Sequence, residues 1–302
     1  MSISATAQIA GDVVIEADEV FIGEHVKLLP GTVLKGKSIR IDRRCELGPD
    51  VRIDCREVIL GEETMLRARV TAAGLALPDS RLELGRRVRV FQDTFLNPSK
   101  PLTVGDESGL GGRSLIFTHA AWQSILEGYP VEFAPITIGR NVWLPWQVFV
   151  LPGVEIGDDV TVAAGSVVSR SIPGGSLAAG YPARVLKRAP DYPPTPAPEE
   201  QWEIARRVFR DLAWFLTERG QTVTAAEGEG WLSLGQVALV RDAHVQIPAG
   251  ALVVAALHGR PVVDDDVTWL ALLERERGGA ETPLAEAVAE FVSRYGLRFQ
   301  RT

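Results

Sequence analysis

The sequence predicts a mainly β solenoid joined to a small α+β domain, and three observations predict it. Aliphatic residues recur at intervals of six at Ile138, Leu144, Val150, Ile156, Val162 and Val168, a period that belongs to neither an α-helix nor an ordinary strand. A proline-rich stretch from Ala189 to Pro198 then ends that pattern. Beyond it the apolar residues fall at helical spacing.

Each hexad reads as an aliphatic, a small residue, two polar residues and a small or branched one, as in Ile138-Gly139-Arg140-Asn141-Val142 and Ile156-Gly157-Asp158-Asp159-Val160. Three such hexads make one triangular coil, so each inward aliphatic stacks on its equivalent three hexads later. Leu144 should therefore sit on Val162, and Val150 on Val168. Gly, Asn and Asp suit the corners, where a positive φ is often required. Earlier runs repeat the phase: Ile3, Ile9, Ile15; then Ile22, Leu28, Leu34; then Ile41, Leu47, Ile53, Ile59, Met65. The phase slips by one residue after Ile15 and after Leu34, which predicts a bulged corner at each place. Between about 70 and 118 the pattern loosens, and Leu82, Leu84, Val88, Val90, Leu102 and Val104 carry it.

The solenoid is expected over residues 1–188, the Pro-rich stretch 189–198 as an extended spacer, and residues 199–302 as the α+β domain. In that last part Trp202, Ala205, Val208, Phe209, Leu212, Phe215 and Leu216 form one stripe of a helix running to about Glu218. Strand-like runs follow at Leu232–Leu234, Val237–Val240 and Leu252–Leu257. Thr282 and Pro283 start a second helix and Gly296 stops it, and the tail 297–300 suits a last strand. Asp264-Asp265-Asp266 reads either as an acidic metal site or as a turn capping a helix at Val267–Leu270; the second is the expectation.

Composition narrows the function. The chain has 302 residues, 46% of them hydrophobic, and no apolar run long enough to span a bilayer. Residues 1–11 lack a basic stretch followed by an apolar one, so no signal peptide is read there. Cys45 and Cys55 show no metal-binding or redox spacing, which predicts buried fillers in a reduced, cytoplasmic protein. A net charge of −7 argues against nucleic acid. Arg170, Arg184, Lys187 and Arg188 form a local basic group that suits an anion. Of the other candidates, Gly109-Leu110-Gly111-Gly112 lacks dinucleotide or phosphate-loop spacing.

Among the four histidines, His119 stands apart. Phe117-Thr118-His119 ends a run of hexads, Ala120–Pro135 breaks the period as an inserted loop, and the hexads resume at Ile136. Insertions in solenoids tend to collect on one face and to form its binding surface. An imidazole, with a reference pKa of about 6.5, supplies a neutral base near neutral pH.

Segments Ile156-Gly157-Asp158-Asp159-Val160, Ala164-Gly165-Ser166-Val167-Val168, Ile172-Pro173-Gly174-Gly175 and Ala179-Gly180-Tyr181-Pro182-Ala183-Arg184-Val185-Leu186-Lys187 resemble the hexapeptide-repeat acyltransferases, in particular those acetylating sugars and polysaccharides. The resemblance implies a left-handed parallel β-helix, a handedness that the spacing itself does not give and that departs from the usual right-handed crossover. It implies an acyl, chiefly acetyl, transfer from coenzyme A to a sugar or glycan hydroxyl or amine, with no metal, in a homotrimer whose sites lie between neighbouring chains. By resemblance His119 would take the acceptor's proton and Asn97 would hold the acceptor. Gly139, Asn141, Trp143, Trp146, Ala164, Gly165, Ser166, Pro182, Arg184 and Lys187 would line the coenzyme groove. The chain departs from the family at Trp143-Leu144-Pro145-Trp146-Gln147, where a bulky Trp and a Pro replace small residues. That departure keeps open a second reading, a non-catalytic trimeric scaffold whose groove is closed by Trp146 and which acts through its C-terminal domain. The related γ-type carbonic anhydrases need three histidines around zinc, which four scattered histidines do not supply.

Overall fold

The computed structural model describes residues 1–301. The chain divides into two compact units, the first spanning Met1–Pro194 and the second beginning at Thr195.

The first unit is a parallel β-solenoid of three faces. On the first face Ile3 pairs with Ile22, Ile22 with Ile41, Ile41 with Leu60, and the stack continues through Leu84, Val104, Ile138 and Ile156. The second runs through Ile9, Leu28, Leu47, Leu66, Val90, Leu110 and Leu144. The third runs through Ile15, Leu34, Ile53, Ala72, Leu96, Ile116, Val150 and Val168. The expected pairing of Val150 with Val168 is present, and Trp143 opposite Thr161 sets Leu144 beside Val162. The inward side chains form one continuous buried cluster. Ile3 and Ile9, in the first coil, are 40% and 37% exposed.

Two sequence expectations change. Ile59 and Met65 are not inward: Leu60 and Leu66 are, both fully buried. The bulged corner predicted after Ile15 and Leu34 recurs after Ile53, since Ile22, Ile41 and Leu60 keep one coil length. The corners also use a wider set of residues than glycine, asparagine and aspartate. Asn141 (φ 53°) and Asp159 (φ 58°) do carry positive φ, but so do Arg44, Glu63, Arg87 and Gln147. The glycines that follow inward aliphatics such as Leu84, Leu110 and Ile138 answer a different need, the close approach of successive coils. A Cβ at Gly111 would lie 2.3 Å from the Pro145 carbonyl carbon, and the Gly111 amide donates to Leu144 O across that gap.

Residues 74–80 lengthen one coil, between strands Thr71–Ala73 and Arg81–Leu84, and residues 118–135 lengthen another, between Leu115–Phe117 and Ile136–Ile138. Both leave the same corner, where the third face turns into the first. An antiparallel pair, Ser176–Gly180 with Ala183–Arg188, ends the solenoid on its second face.

The second unit packs two helices on a seven-stranded sheet. Helix α1 (Pro198–Glu218) buries the predicted stripe, and α2 (Pro283–Ser293) starts at Thr282, whose hydroxyl accepts from the Ala285 amide at 3.1 Å. Strands Val237–Asp242, Val253–His258 and Thr268–Ala271 form its parallel centre. Thr268–Ala271 corrects the expectation of a helix after the Asp264-Asp265-Asp266 turn. All four residues are buried, and a strand covered on both faces reads as a continuous run with no helical period. Gln300–Arg301 adds the last strand. Among the described residues no helix is long and apolar enough to cross a membrane, and no group of His, Cys, Asp and Glu is arranged to hold a metal.

Gly111→Ala should lower the stability of the solenoid by about 1–3 kcal/mol, the usual cost of overpacking a close backbone contact. Urea unfolding followed by circular dichroism checks it, with wild-type stability as the contrary result.

Candidate active site

The corner that carries both insertions also carries His119 and Asn97. Asn97 ends strand Phe95–Asn97, in parallel register with Phe117 of Leu115–Phe117. The chain then turns through Pro98, Ser99 and Lys100 without an insertion, so this coil lies between two lengthened ones. Thr118 fastens the two coils: its hydroxyl donates to the Asn97 carbonyl at 2.6 Å and accepts from the Lys100 amide at 2.9 Å. Lys100 Nζ in turn meets Asp79 of the first insertion at 2.9 Å.

His119 opens the second insertion. It pairs in antiparallel register with Phe133, the far arm of the loop, and the imidazole stacks on the Phe133 ring with centroids 5.5 Å apart and planes 12° off parallel. Nδ1 lies 2.9 Å from Asn97 Oδ1. The amide orientation follows from its other partner, since Asn97 Nδ2 donates to the Ala73 carbonyl at 3.2 Å. With an acceptor facing it, Nδ1 carries the hydrogen, and Nε2 is left with the lone pair.

Asn97 is only 4% exposed. The side chain expected to hold an acceptor thus spends its polar atoms on His119, Ser99 and Ala73. Ser99 and Thr118, both fully buried, and Phe133 escaped the sequence reading. Ser99 and His119 are twenty residues apart, one coil at this level, but the lengthened coils on either side hide that spacing in the sequence.

The residues expected to line a coenzyme groove divide among four places, Trp143 standing on the second face itself. Gly139 and Asn141 lie at the corner between the first and second faces, where Asn141 Nδ2 donates to Asp159 at 2.8 Å. Trp146, Ala164, Gly165 and Ser166 gather at the corner between the second and third faces. There the Gly165 amide donates to the Trp146 carbonyl at 3.0 Å, and buried Ser166 accepts from the Gly180 amide at 3.1 Å. The Trp146 ring lies on Gly112 of the preceding coil, as the Trp143 ring lies on Gly109; a Cβ on either glycine would meet the indole within 2.6 Å. The space over Gly165 is open, with nothing within 4 Å of where a Cβ would stand. Pro182, Arg184 and Lys187 lie exposed on the terminal strand pair. Within one chain, then, the His119 corner and the Gly165 corner are different edges of the solenoid.

Neither cysteine suits nucleophilic chemistry. Cys45 is buried among aliphatics with its thiol against the Gly61 carbonyl, and burial pushes its pKa up to about 12; burial also raises that of Cys55, beside Ser80.

Residues 135–170 match the family described as bacterial transferase hexapeptide (six repeats). The galactoside O-acetyltransferase of Escherichia coli K12 is 49% identical over 114 residues, which are 37% of this chain and 56% of that protein. The putative colanic acid biosynthesis acetyltransferase WcaF of the same organism is 34% identical over 107 residues, 35% of this chain and 58% of the relative. The chain thus spans little more than half the length of these relatives. Among solved structures, the polySia-specific acetyltransferase NeuO is 20% identical over 62% of this chain and 87% of its own, with a TM-score of 0.41. The hexapeptide-repeat acetyltransferase VCA0836 of Vibrio cholerae, solved with acetyl coenzyme A, is 23% identical over 53% and 72%, with a TM-score of 0.31. The resemblance read from the hexads is borne out, and the second unit lies outside the matched hexads.

Both thiols should resist iodoacetamide at pH 8 in the folded protein and react at once in urea, as mass spectrometry would read. The folded Cys45 keeps its proton to about pH 12, while an unfolded thiol loses it near its ordinary value of 9.0. The native state therefore binds more protons between those limits, and stability falls as pH rises through them.

Proposed function

We propose that this chain is an acyl-coenzyme A dependent acyltransferase that moves an acyl, chiefly acetyl, group to a hydroxyl or amine of a sugar or glycan, with His119 as general base. The observation that carries this reading is the 2.9 Å contact between His119 Nδ1 and Asn97 Oδ1. It commits one ring nitrogen to donating and leaves the other as a base, set at the mouth of an inserted loop. The curated relatives named for acetyl transfer to galactosides and in colanic acid biosynthesis support the reaction class and the acceptor class.

In this mechanism His119 Nε2 takes the acceptor's proton as the acceptor oxygen or nitrogen bonds to the thioester carbonyl carbon. The tetrahedral intermediate collapses by breaking the carbon–sulfur bond, and the imidazolium returns the proton to the departing thiolate. Asn97 holds the ring in one tautomer and, by accepting from Nδ1–H, favours its protonated form in the transition state. The open backbone at Gly165 suits a narrow pantetheine arm, and exposed Arg184 and Lys187 suit its phosphates. Since His119 and Gly165 occupy different edges, a complete site takes its base and its coenzyme groove from two copies. A homotrimer, assembled from solenoids in the cytoplasm, meets that requirement. The inserted loop has the apolar surface for such a contact, with Trp122 97% and Leu126 95% exposed in the single chain. The scaffold reading has less support, because Trp146 lies over Gly112 instead of over Gly165.

Acetyl-coenzyme A should bind the wild-type oligomer at one site per chain by isothermal titration calorimetry; no binding would overturn the assigned donor. His119→Ala should lower kcat with a galactoside acceptor by about 10²–10⁴-fold and leave coenzyme binding unchanged, and an unaffected rate would remove His119 as the base. Asn97→Asp should move the acid limb of the pH–rate profile to higher pH, because a carboxylate beside Nδ1 holds the protonated ring.

A further inference from the structure

Behind His119 lies a buried hydroxyl that the reaction itself does not require. Ser99 Oγ is fully buried and has three neighbours: Asn97 Oδ1 at 2.8 Å, the Leu75 amide at 2.8 Å and His119 Nδ1 at 3.3 Å. The Leu75 N–H can only donate, so it occupies a lone pair of the serine oxygen. The serine hydrogen is then free for Asn97 Oδ1, which can only accept. Nδ1 consequently faces two oxygens, and each presents lone pairs toward it.

The alternative arrangement shows what Ser99 prevents. An Asn97 amide turned by 180° would set its NH₂ against Nδ1 and require the hydrogen on Nε2, which abolishes the base. The Ala73 carbonyl opposes that flip from one side, through Nδ2 at 3.2 Å. The Ser99 hydroxyl opposes it from the other, since a flip would take away the Asn97 oxygen at 2.8 Å and leave its hydrogen a bare Nδ1 at 3.3 Å. Gly74 completes the device. A Cβ there would fall 2.5 Å from Ser99 Oγ and 3.1 Å from Asn97 Nδ2, so the first insertion is pressed against both groups.

We infer that Ser99 is a positioning residue that, tethered by the Leu75 amide, locks Asn97 and so fixes His119 in the Nδ1–H tautomer, tying the conformation of the loop at residues 74–80 to the strength of the base. The consequence for catalysis rests on the reading of His119 as general base; the tautomer lock does not.

Ring ¹⁵N spectra of the full-length protein labelled at histidine, with the His119 signals identified by their loss in His119→Gln, test the lock without any assay of transfer. Above the titration range, wild type should show Nδ1 protonated and Nε2 bare, and Ser99→Thr, which keeps the hydroxyl, should match it. Ser99→Ala should show both tautomers. Gly74→Ala, which disturbs Ser99 from the loop side, should do the same and serves where Ser99→Ala does not fold. A retained Nδ1–H tautomer in the folded alanine variants would overturn the inference. In transfer assays Ser99→Ala should lower kcat about tenfold, the usual order for one lost hydrogen bond, with KM for acetyl-coenzyme A unchanged and no further loss in the His119→Gln background. If His119→Gln were itself fully active, the catalytic reading would fall while the spectra still decided the lock.

Discussion

Everything in the solenoid depends on one constraint: each coil hydrogen bonds to the next along all three faces, so residues at the same phase are held about one strand spacing, 4.8 Å, apart. A side chain there cannot choose its neighbour, because the coil length assigns it. Inward, this produces the unbroken stacks from Ile3 to Ile156, Ile9 to Leu144 and Ile15 to Val168. At the corners it produces ladders such as Arg86 with Asp106 and Arg140 with Asp158, where the pairing is exposed and its worth small. At one corner it stacks Asn97, Ser99, Thr118 and His119, and there the same geometry creates a chemical environment.

That corner brings three buried polar side chains against a half-buried imidazole. Asn97, Ser99 and Thr118 are buried with their hydrogen bonds made to one another and to the neighbouring backbone. Burying such groups is costly unless each is satisfied, and once satisfied they leave little freedom of arrangement. Fixed partners at Nδ1 oppose the exchange of tautomers that an imidazole makes freely in water. The Phe133 ring covers one face of His119 and the two insertions flank it. Rigidity here is a by-product of the coil stacking, which sets these groups against one another.

What the sequence revealed and what it hid follow from the same geometry. The six-residue ladder from Ile138 to Val168 exposes the fold because inward positions tolerate only apolar side chains, and Thr282-Pro283 exposes a helix start because a cap has narrow chemistry. Ile59 and Met65 misled because a corner with one extra residue carries no sequence mark of its own; Ile59 is aliphatic, yet Leu60 next to it takes the inward place. Thr268–Ala271 misled because a strand buried on both faces has no alternation to read. Asn97 was named through the family resemblance, and His119 also through its place before a broken period. Their contact was not legible, since it needs the local coil length, and the insertions at 74–80 and 118–135 had obscured that length. Ser99 was invisible for the same reason.

The separation of the candidate groups bears on how the molecule must work. Coil geometry fixes His119 at the edge between the third and first faces, and Gly165 at the edge between the second and third. No side-chain rearrangement within one solenoid can bring two edges together, because the buried stacks fill the interior between them. A reaction that used both would have to be completed by a neighbouring copy, which brings its open edge to the other's base. On this view the long inserted loop does two things with one segment. Its roots at His119 and Phe133 set the imidazole, and its tip, with Trp122 and Leu126 bare in the single chain, offers the apolar surface that a neighbouring copy would bury. Assembly and activity would then rise and fall together, since the contact that excludes water from the tip also brings the second edge to the base.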